Sequence, residues 1–423
     1  MNILFISLGC DKNLSDSEEM LGLLTERGHN IVNSEEEADA IVINTCCFIH
    51  DAKEESVETI LEMAEYKKAG SLKALIVTGC MAQRYKEEII QEIPEVDAVL
   101  GTTSYSDIVK ALDEVLKGKS FQEFRDINEL PAVSASRVLT TGGHFGYLKI
   151  AEGCDKHCTY CIIPSLRGRF RSIPEERLIQ QAEYMASQGV KELILVAQET
   201  TVYGTDIYGK KTLHLLLKKL CGIKGIRWIR VLYCYPEEIY DELIQVMKEE
   251  KKICHYLDLP IQHASDRILK RMGRRTSKEQ LVEIIGKLRR EIPDIILRTT
   301  LITGFPGEAA EDHQELMEFV DEIEFDRLGV FTYSAEEGTP AASMDGQIPE
   351  ELKEARRDEL MELQQEISLE KGNERIGQEL LVMIEGKVSG ESAYIGRTYG
   401  DAPNVDGYLF VQTGELLMTG DFA

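Results

Sequence analysis

A chain of 423 residues is long enough for two or three domains, each with its own core. Apolar content of 43% and charged content of 29% are those of a soluble globular protein, and no apolar stretch approaches membrane-spanning length, which argues against a membrane-spanning enzyme. A net charge of −26 repels phosphate backbones at long range and attracts basic proteins, although local basic patches leave room for RNA.

The opening "MNILFISLG" has no basic leader and too short an apolar run for a signal peptide, which predicts a cytoplasmic protein. Ten cysteines in that setting point to metal ligation or reactive thiols rather than a disulfide framework. Residues 1–118 alternate strand-like runs with amphipathic helices, the pattern of a doubly wound α/β domain. Three of those runs end on a cysteine: "NILFISLGC" on Cys10, "DAIVINTC" on Cys46 and "KALIVTGC" on Cys80. As parallel strands they deliver three thiols to the carboxyl edge of one sheet, where open α/β sheets bind ligands. "AVLGT" is a fourth strand, and "SDSEEMLGLLTERG" is a helix with a capping start near Ser15 and a stop at Gly28. Residues 119–143 read as a linker.

A second α/β series spans 144–340, with strands at "YLKIA", "ELILVAQ", "IRWIRVL", "HYLDLP", "ILRTTLITG" and "RLGVFTY". Six βα units predict a partial (βα)6 barrel with its site at the carboxyl ends of the strands. Directly after the first strand, "EGCDKHCTYC" sets Cys154, Cys158 and Cys161 at C-x3-C-x2-C spacing. Three close thiolates can hold three corners of a cubane cluster and leave one iron open. A zinc knot completed by His157 shares that local spacing. Residues 349–371 form a charged bridging helix, and 372–423 a small β domain with strands in "ELLVMIEGKVS", "AYIGRT" and "DGYLFVQT".

Taken together, "SLGCDKNLSDSE", "INTCCFI", "VTGCMAQRY", "CDKHCTYC", "YLDLPIQHASDRILKRMGRR" and "TLITGFPGE" resemble the methylthiotransferase family of radical S-adenosylmethionine enzymes, over nearly the full length. The resemblance implies an N-terminal methylthiotransferase domain, a radical barrel and a TRAM-like C-terminal domain. It implies two [4Fe-4S] clusters, one on Cys154, Cys158 and Cys161 binding S-adenosyl-L-methionine and an auxiliary one on Cys10, Cys46 and Cys80. Cofactor contacts fall at Gln198, which ends a barrel strand in "VAQETT" with Glu199 and Thr200, and at Gly304, Pro306 and Gly307 of "TGFPGE". No residue beyond the cluster ligands is assigned a catalytic role. Gln262 and His263 end another strand, and His263 reads equally as a contact or a structural histidine. Cys47, where the family usually has glycine, reads as a packed thiol, as do Cys221, Cys234 and Cys254. Arg167, Arg169 and Arg171 form one basic group and Lys270, Arg271, Arg274 and Arg275 another, suited to carboxylates.

The implied reaction uses S-adenosyl-L-methionine to methylate a sulfur and to supply a 5′-deoxyadenosyl radical, chemistry that the cofactor must carry. The substrate would be an aspartate of the small-subunit ribosomal protein at the decoding centre, with a reductant and a sulfur source as further partners. Residues 372–423 hold eight acidic side chains against three basic ones, Arg375, Lys387 and Arg397. That balance favours a basic protein over the alternative substrate, a transfer-RNA adenosine beside the anticodon. A non-catalytic iron–sulfur or zinc scaffold is the reading from another class. The family's C-terminal domain usually continues past the "GDF" of this chain, which predicts a shortened domain with an unpaired sheet edge.

Overall fold

The computed structural model describes residues 1–131 and 137–423. They fall into two compact units, the first of residues 1–140, 147–184 and 334–342 and the second of 141–146, 185–333 and 343–423.

The first unit is built on six strands: β1 (Asn2–Ser7), β2 (Asn30–Val32), β3 (Ala40–Thr45), β4 (Ala74–Gly79), β5 (Ala98–Leu100) and β6 (Phe121–Glu123). All pair in parallel, in the order β2-β1-β3-β4-β5-β6. The central strands read as unbroken apolar runs because both faces are covered. Ile41, Ile43, Leu75 and Val77 pack on one side, and Ala40, Val42, Ala74 and Ile76 on the other. The order reverses between β1 and β3, which places a switch-point crevice between them.

Three features differ from the sequence expectation. β2 and β6 are three residues each, too short to show a period of two, and β6 lies inside the expected 119–143 linker. Residues 132–136 of that stretch lie outside the described residues. The first helix is Asp11–Glu26, capped by Cys10 rather than beginning near Ser15. Ser15 is buried within it and its hydroxyl accepts a hydrogen bond from Arg137 at 3.3 Å, so it serves a tertiary contact instead of a cap.

The barrel strands are β7 (Phe145–Lys149), β10 (Glu192–Val196), β11 (Trp228–Val231), β12 (Ile253–Asp258), β13 (Ile296–Thr303) and β14 (Arg327–Thr332). Their order is β14-β13-β12-β11-β10-β7, every neighbour sequential, as expected of an open run of βα units. Two short strands, β8 (Ala151–Glu152) and β9 (Arg171–Ser172), pair antiparallel in the first unit and close the base of the loop that carries Cys154, Cys158 and Cys161.

Residues Ser334–Ala342 belong to the first unit although they follow β14. Ser334 Oγ accepts from the His50 amide at 3.2 Å, Glu336 pairs with Arg84 at 3.1 Å, and the Ala341 amide donates to the Thr159 carbonyl at 2.9 Å.

In the second unit a helix, Glu350–Glu374, leads to an antiparallel meander of β15 (Val382–Lys387), β16 (Ala393–Thr398) and β17 (Leu409–Gln412). Residues 421–423 pair with the outer edge of β15. Val382 and Ala423 exchange backbone hydrogen bonds of 2.9 Å, and Ile384 donates to Asp421 at 2.8 Å. No helix among the described residues is long and apolar enough to cross a membrane.

Candidate iron–sulfur sites

Cys10, Cys46 and Cys80 stand at the carboxyl ends of β1, β3 and β4, three adjacent strands. Glycine makes the turn to two of them. Gly9 and Gly79 have φ of +86° and +93°, a left-handed backbone that side chains disfavour. A Cβ on Gly9 would stand 2.7 Å from Cys46 Cβ and 2.9 Å from its Sγ, so the Cys46 side chain lies against bare backbone beside Cys10. On Gly79 it would meet Asn44 Oδ1 at 2.3 Å and the Thr45 carbonyl at 2.5 Å. Cys10 caps the helix Asp11–Glu26 and Cys80 opens the helix Cys80–Tyr85, so the partial positive charge of a helix start lies at Cys10.

Asn13 organises the three strand ends. Its Nδ2 donates to the Leu8 carbonyl at 3.1 Å and to the Thr45 carbonyl at 2.9 Å, while Cys80 Sγ donates to its Oδ1 at 3.8 Å. Ser56 pins Cys46 by accepting from its amide at 3.0 Å and donating to its carbonyl at 2.8 Å. Burial pushes the Cys46 thiol up to about 12, with Cys80 and Cys10 adding to the shift and Arg167 opposing it. Burial likewise raises Cys80 against the opposing charge of Arg167. Such thiols surrender their protons to a metal rather than to water. Cys47 is enclosed in the apolar cluster with Ile43, Val77 and Met81, in keeping with a packed thiol.

The second trio sits on the loop between β8 and β9. Gly153, before Cys154, has φ of +73°, and a Cβ there would stand 2.1 Å from the Arg169 carbonyl oxygen. The Cys154 amide donates to the Gly168 carbonyl at 3.1 Å, and Phe170 donates to Asp155 at 3.1 Å, which draws the loop shut. Burial pushes Cys161 up to about 12, reinforced by Cys158 and Cys154. His157 is exposed. Among the described residues, no three His, Cys, Asp or Glu side chains converge as ligands of a single ion would. The residues present fit a larger, anionic, sulfur-loving group: three thiols at each place, cradled by glycine backbone, with the Arg167 charge close by.

Both trios belong to the first unit, and buried ions lie among them. Lys149 pairs with Asp16 and Glu152; Arg167 bonds Asn13, Asp16 at 2.8 Å and Glu152 at 3.4 Å. Burial alone would raise Glu152, yet Lys149 and Arg167 outweigh it and hold the carboxyl below its ordinary value. Burial keeps neighbouring Glu19 raised, and Tyr105 donates to it at 2.6 Å. Asn13, Asp16, Lys149 and Glu152 were not singled out from sequence. For Asn13 and Asp16 the signal was a run of polar residues, "DKNLSDSEE", on a helix whose first turns are largely buried.

The expected contacts in the second unit are mixed in kind. Gln198 follows β10, and its buried Oε1 has no hydrogen-bond partner among the described residues. Gly304 and Gly307 follow β13 with φ of +69° and +82°, but their bare faces are turned to protein. A Cβ would meet the Lys353 chain at 2.1 Å in one case and the Arg271 guanidinium at 3.1 Å in the other. The Pro306 carbonyl accepts from Arg271 at 3.0 Å. Glu199 folds back onto Thr201, and Thr200 Oγ1 donates to the Leu232 carbonyl at 2.8 Å, so both brace the strand ends. His263 Nδ1 accepts from the amides of Ala264 and Ser265 at 3.0 Å each, and burial pushes its pKa down to about 3. Its Nε2 is also buried, has no hydrogen-bond partner among the described residues and lies 3.8 Å from Glu308 Oε2, so the ring is braced on one side only. Arg274 stacks 4.3 Å over the Tyr235 ring.

Comparison with known proteins adds three family matches. Residues 2–101 match "Uncharacterized protein family UPF0004", 148–320 the radical SAM superfamily and 376–423 the TRAM domain. "Ribosomal protein uS12 methylthiotransferase RimO" of Lachnoclostridium phytofermentans is 66% identical over 422 residues, covering 100% of this chain and 96% of that protein. The protein of the same name from Clostridioides difficile is 50% identical, covering 100% and 95%. Among solved structures, the radical S-adenosylmethionine methyltransferase TsrM from Kitasatospora setae superposes with a TM-score of 0.58 at 12% identity, over 80% of this chain and 76% of that one. OxsB, a cobalamin-dependent S-adenosylmethionine radical enzyme, superposes with a TM-score of 0.55 at 14% identity, over 85% and 56%. At such identities the likeness is one of fold.

Proposed function

Because the chain belongs to the RimO family of radical S-adenosylmethionine methylthiotransferases, we propose that it adds a methylthio group to the β-carbon of an aspartate in ribosomal protein uS12. The observation that carries this reading is the pairing of two three-cysteine sites within one compact unit of a chain that matches 96% of its RimO relative. Cys154, Cys158 and Cys161 would hold the [4Fe-4S] cluster that binds S-adenosyl-L-methionine, and Cys10, Cys46 and Cys80 the auxiliary one. When bound, those groups supply the electron, the radical and the methylated sulfur. The chain's own residues gather the thiols, exclude water and fix their surroundings. Gln198 offers a buried amide oxygen as an acceptor to a bound cofactor, and Gly304, Pro306 and Gly307 shape the turn after β13. The enzyme would work in the cytoplasm with a reductant and a sulfur source.

The C-terminal domain supports a protein over an RNA substrate. Arg397, one of its three bases, is buried and spent on Glu192 and Glu385, at 2.8 and 2.7 Å. Glu374, Glu379, Glu391 and Glu415 remain exposed, an acidic balance suited to a basic ribosomal protein.

The test is anaerobic turnover of cluster-loaded protein with S-adenosyl-L-methionine, sulfide and reductant, offering a uS12 decoding-loop peptide and an anticodon stem-loop together. Mass spectrometry should find the methylthio group on the peptide aspartate. Modification of the RNA alone would overturn the reading in favour of a transfer-RNA enzyme.

A further inference from the structure

Arg167 is six residues past Cys161 and almost wholly enclosed, with 2% of its surface exposed. A buried guanidinium is expensive unless paired, and an apolar side chain of similar volume would serve stability as well or better. Its partners suggest what an apolar side chain would not supply. One arm donates to Asn13 Oδ1, the other to Asp16 at 2.8 Å and Glu152 at 3.4 Å. Asn13 is the side chain that touches the Leu8 carbonyl, the Thr45 carbonyl and Cys80 Sγ, and so all three strand ends bearing Cys10, Cys46 and Cys80. Glu152 lies in β8, two residues before Cys154. One side chain thus joins the carriers of both cysteine sets.

We infer that Arg167 is a positioning residue, tying the C-x3-C-x2-C loop to Asn13 and fixing a permanent positive charge beside the Cys10, Cys46 and Cys80 centre. The inference rests on the two-cluster reading and deepens it. Lys149 shares Asp16 and Glu152 with Arg167, so the two cations and two carboxylates balance. Loss of Arg167 would leave that balance one unit negative, at the side of the Asn13 contact to Cys80. A positive charge beside a cluster favours its reduced, more negative form. Its removal should make that centre harder to reduce.

The test uses the full chain with Cys154, Cys158 and Cys161 replaced by alanine, so that only the N-terminal centre loads, and reads its midpoint by redox titration with electron paramagnetic resonance. Arg167→Gln should lower the midpoint and Arg167→Lys should restore most of it, a rescue that a merely space-filling role would not give. In the converse chain, with Cys10, Cys46 and Cys80 replaced, Arg167→Gln should move the loop centre less. Asn13→Asp is a second variant that does not remove the arginine: its added negative charge should also lower the N-terminal midpoint. An unchanged midpoint in either variant, or an equal shift at both centres, would overturn the inference. The parent chain with all six cysteines separates the two levels of argument. If it fails to take up two clusters, the two-cluster reading falls and the inference with it; if two load and the midpoint does not move, the inference alone falls.

Discussion

Both units bury ions, but those of the first lie around the cysteine carriers, whereas those of the second lie along the barrel strands, with Arg230 and Arg397 on Glu192 and Arg298 on Asp258. Lys149, Arg167, Asp16 and Glu152 are charged and buried together around the cysteine carriers. At the turns after β10 and β12, neutral groups add to the barrel pairs: Thr200 on a backbone carbonyl, Gln262 in the backbone ladder and His263 on two amides. Neutral contacts fix a strand end without a field. Balanced ions fix position and a local potential together, which suits a place where anionic clusters are to be held.

The sharpest way to break that contrast is Lys149→Met. It removes the cation shared by two buried carboxylates, and breaking a buried pair in this way costs about 3–5 kcal/mol. Anaerobic urea unfolding should show the loss, with iron uptake falling as well. Gly153→Ala comes next. The left-handed backbone alone carries roughly 1–3 kcal/mol of strain for a side chain, and the added Cβ would run into the Arg169 carbonyl. Iron should be lost from the loop centre while the N-terminal centre still loads.

His263 gives the neutral counterpart. Its folded pKa of about 3 lies below that of an unfolded histidine, so only the unfolded chain takes up a proton as the pH falls. Its contribution is intact above about pH 6.5 and is lost downward from there, by about 2 kcal/mol at pH 5. His263→Asn keeps the acceptor for Ala264 and Ser265 but cannot protonate. The difference in unfolding free energy between pH 7 and pH 5 should shrink by that amount. The smallest effect is expected of Cys47→Ala, about 1 kcal/mol for a small core truncation. Iron content should not change, and a loss of iron would promote Cys47 from packing to ligation.

Long strands were legible in the sequence because burial on both faces writes them as apolar runs, as in "AIVINT" and "ELILV". The cysteines were legible because each follows such a run or sits on a short-range spacing. β2 and β6 were not, since three residues show no alternation. Asn13 and Arg167 were not read as partners because their contact spans 154 positions of the chain, and a polar helix face ordinarily signals solvent. The pairing of residues 421–423 with β15 was not read from the sequence, because so short a segment does not register as a strand.

The return of Ser334–Ala342 to the first unit has a consequence for biosynthesis. The ribosome makes Cys161 long before it makes Glu336, the residue that pairs with Arg84, or Ala341, which binds the Thr159 carbonyl within the cysteine loop. The first unit cannot close during translation of its own half of the chain. A nascent polypeptide released at residue 184 would lack these contacts to His50, Arg84 and Thr159, so durable metal loading is expected to follow synthesis of residue 342 rather than accompany it.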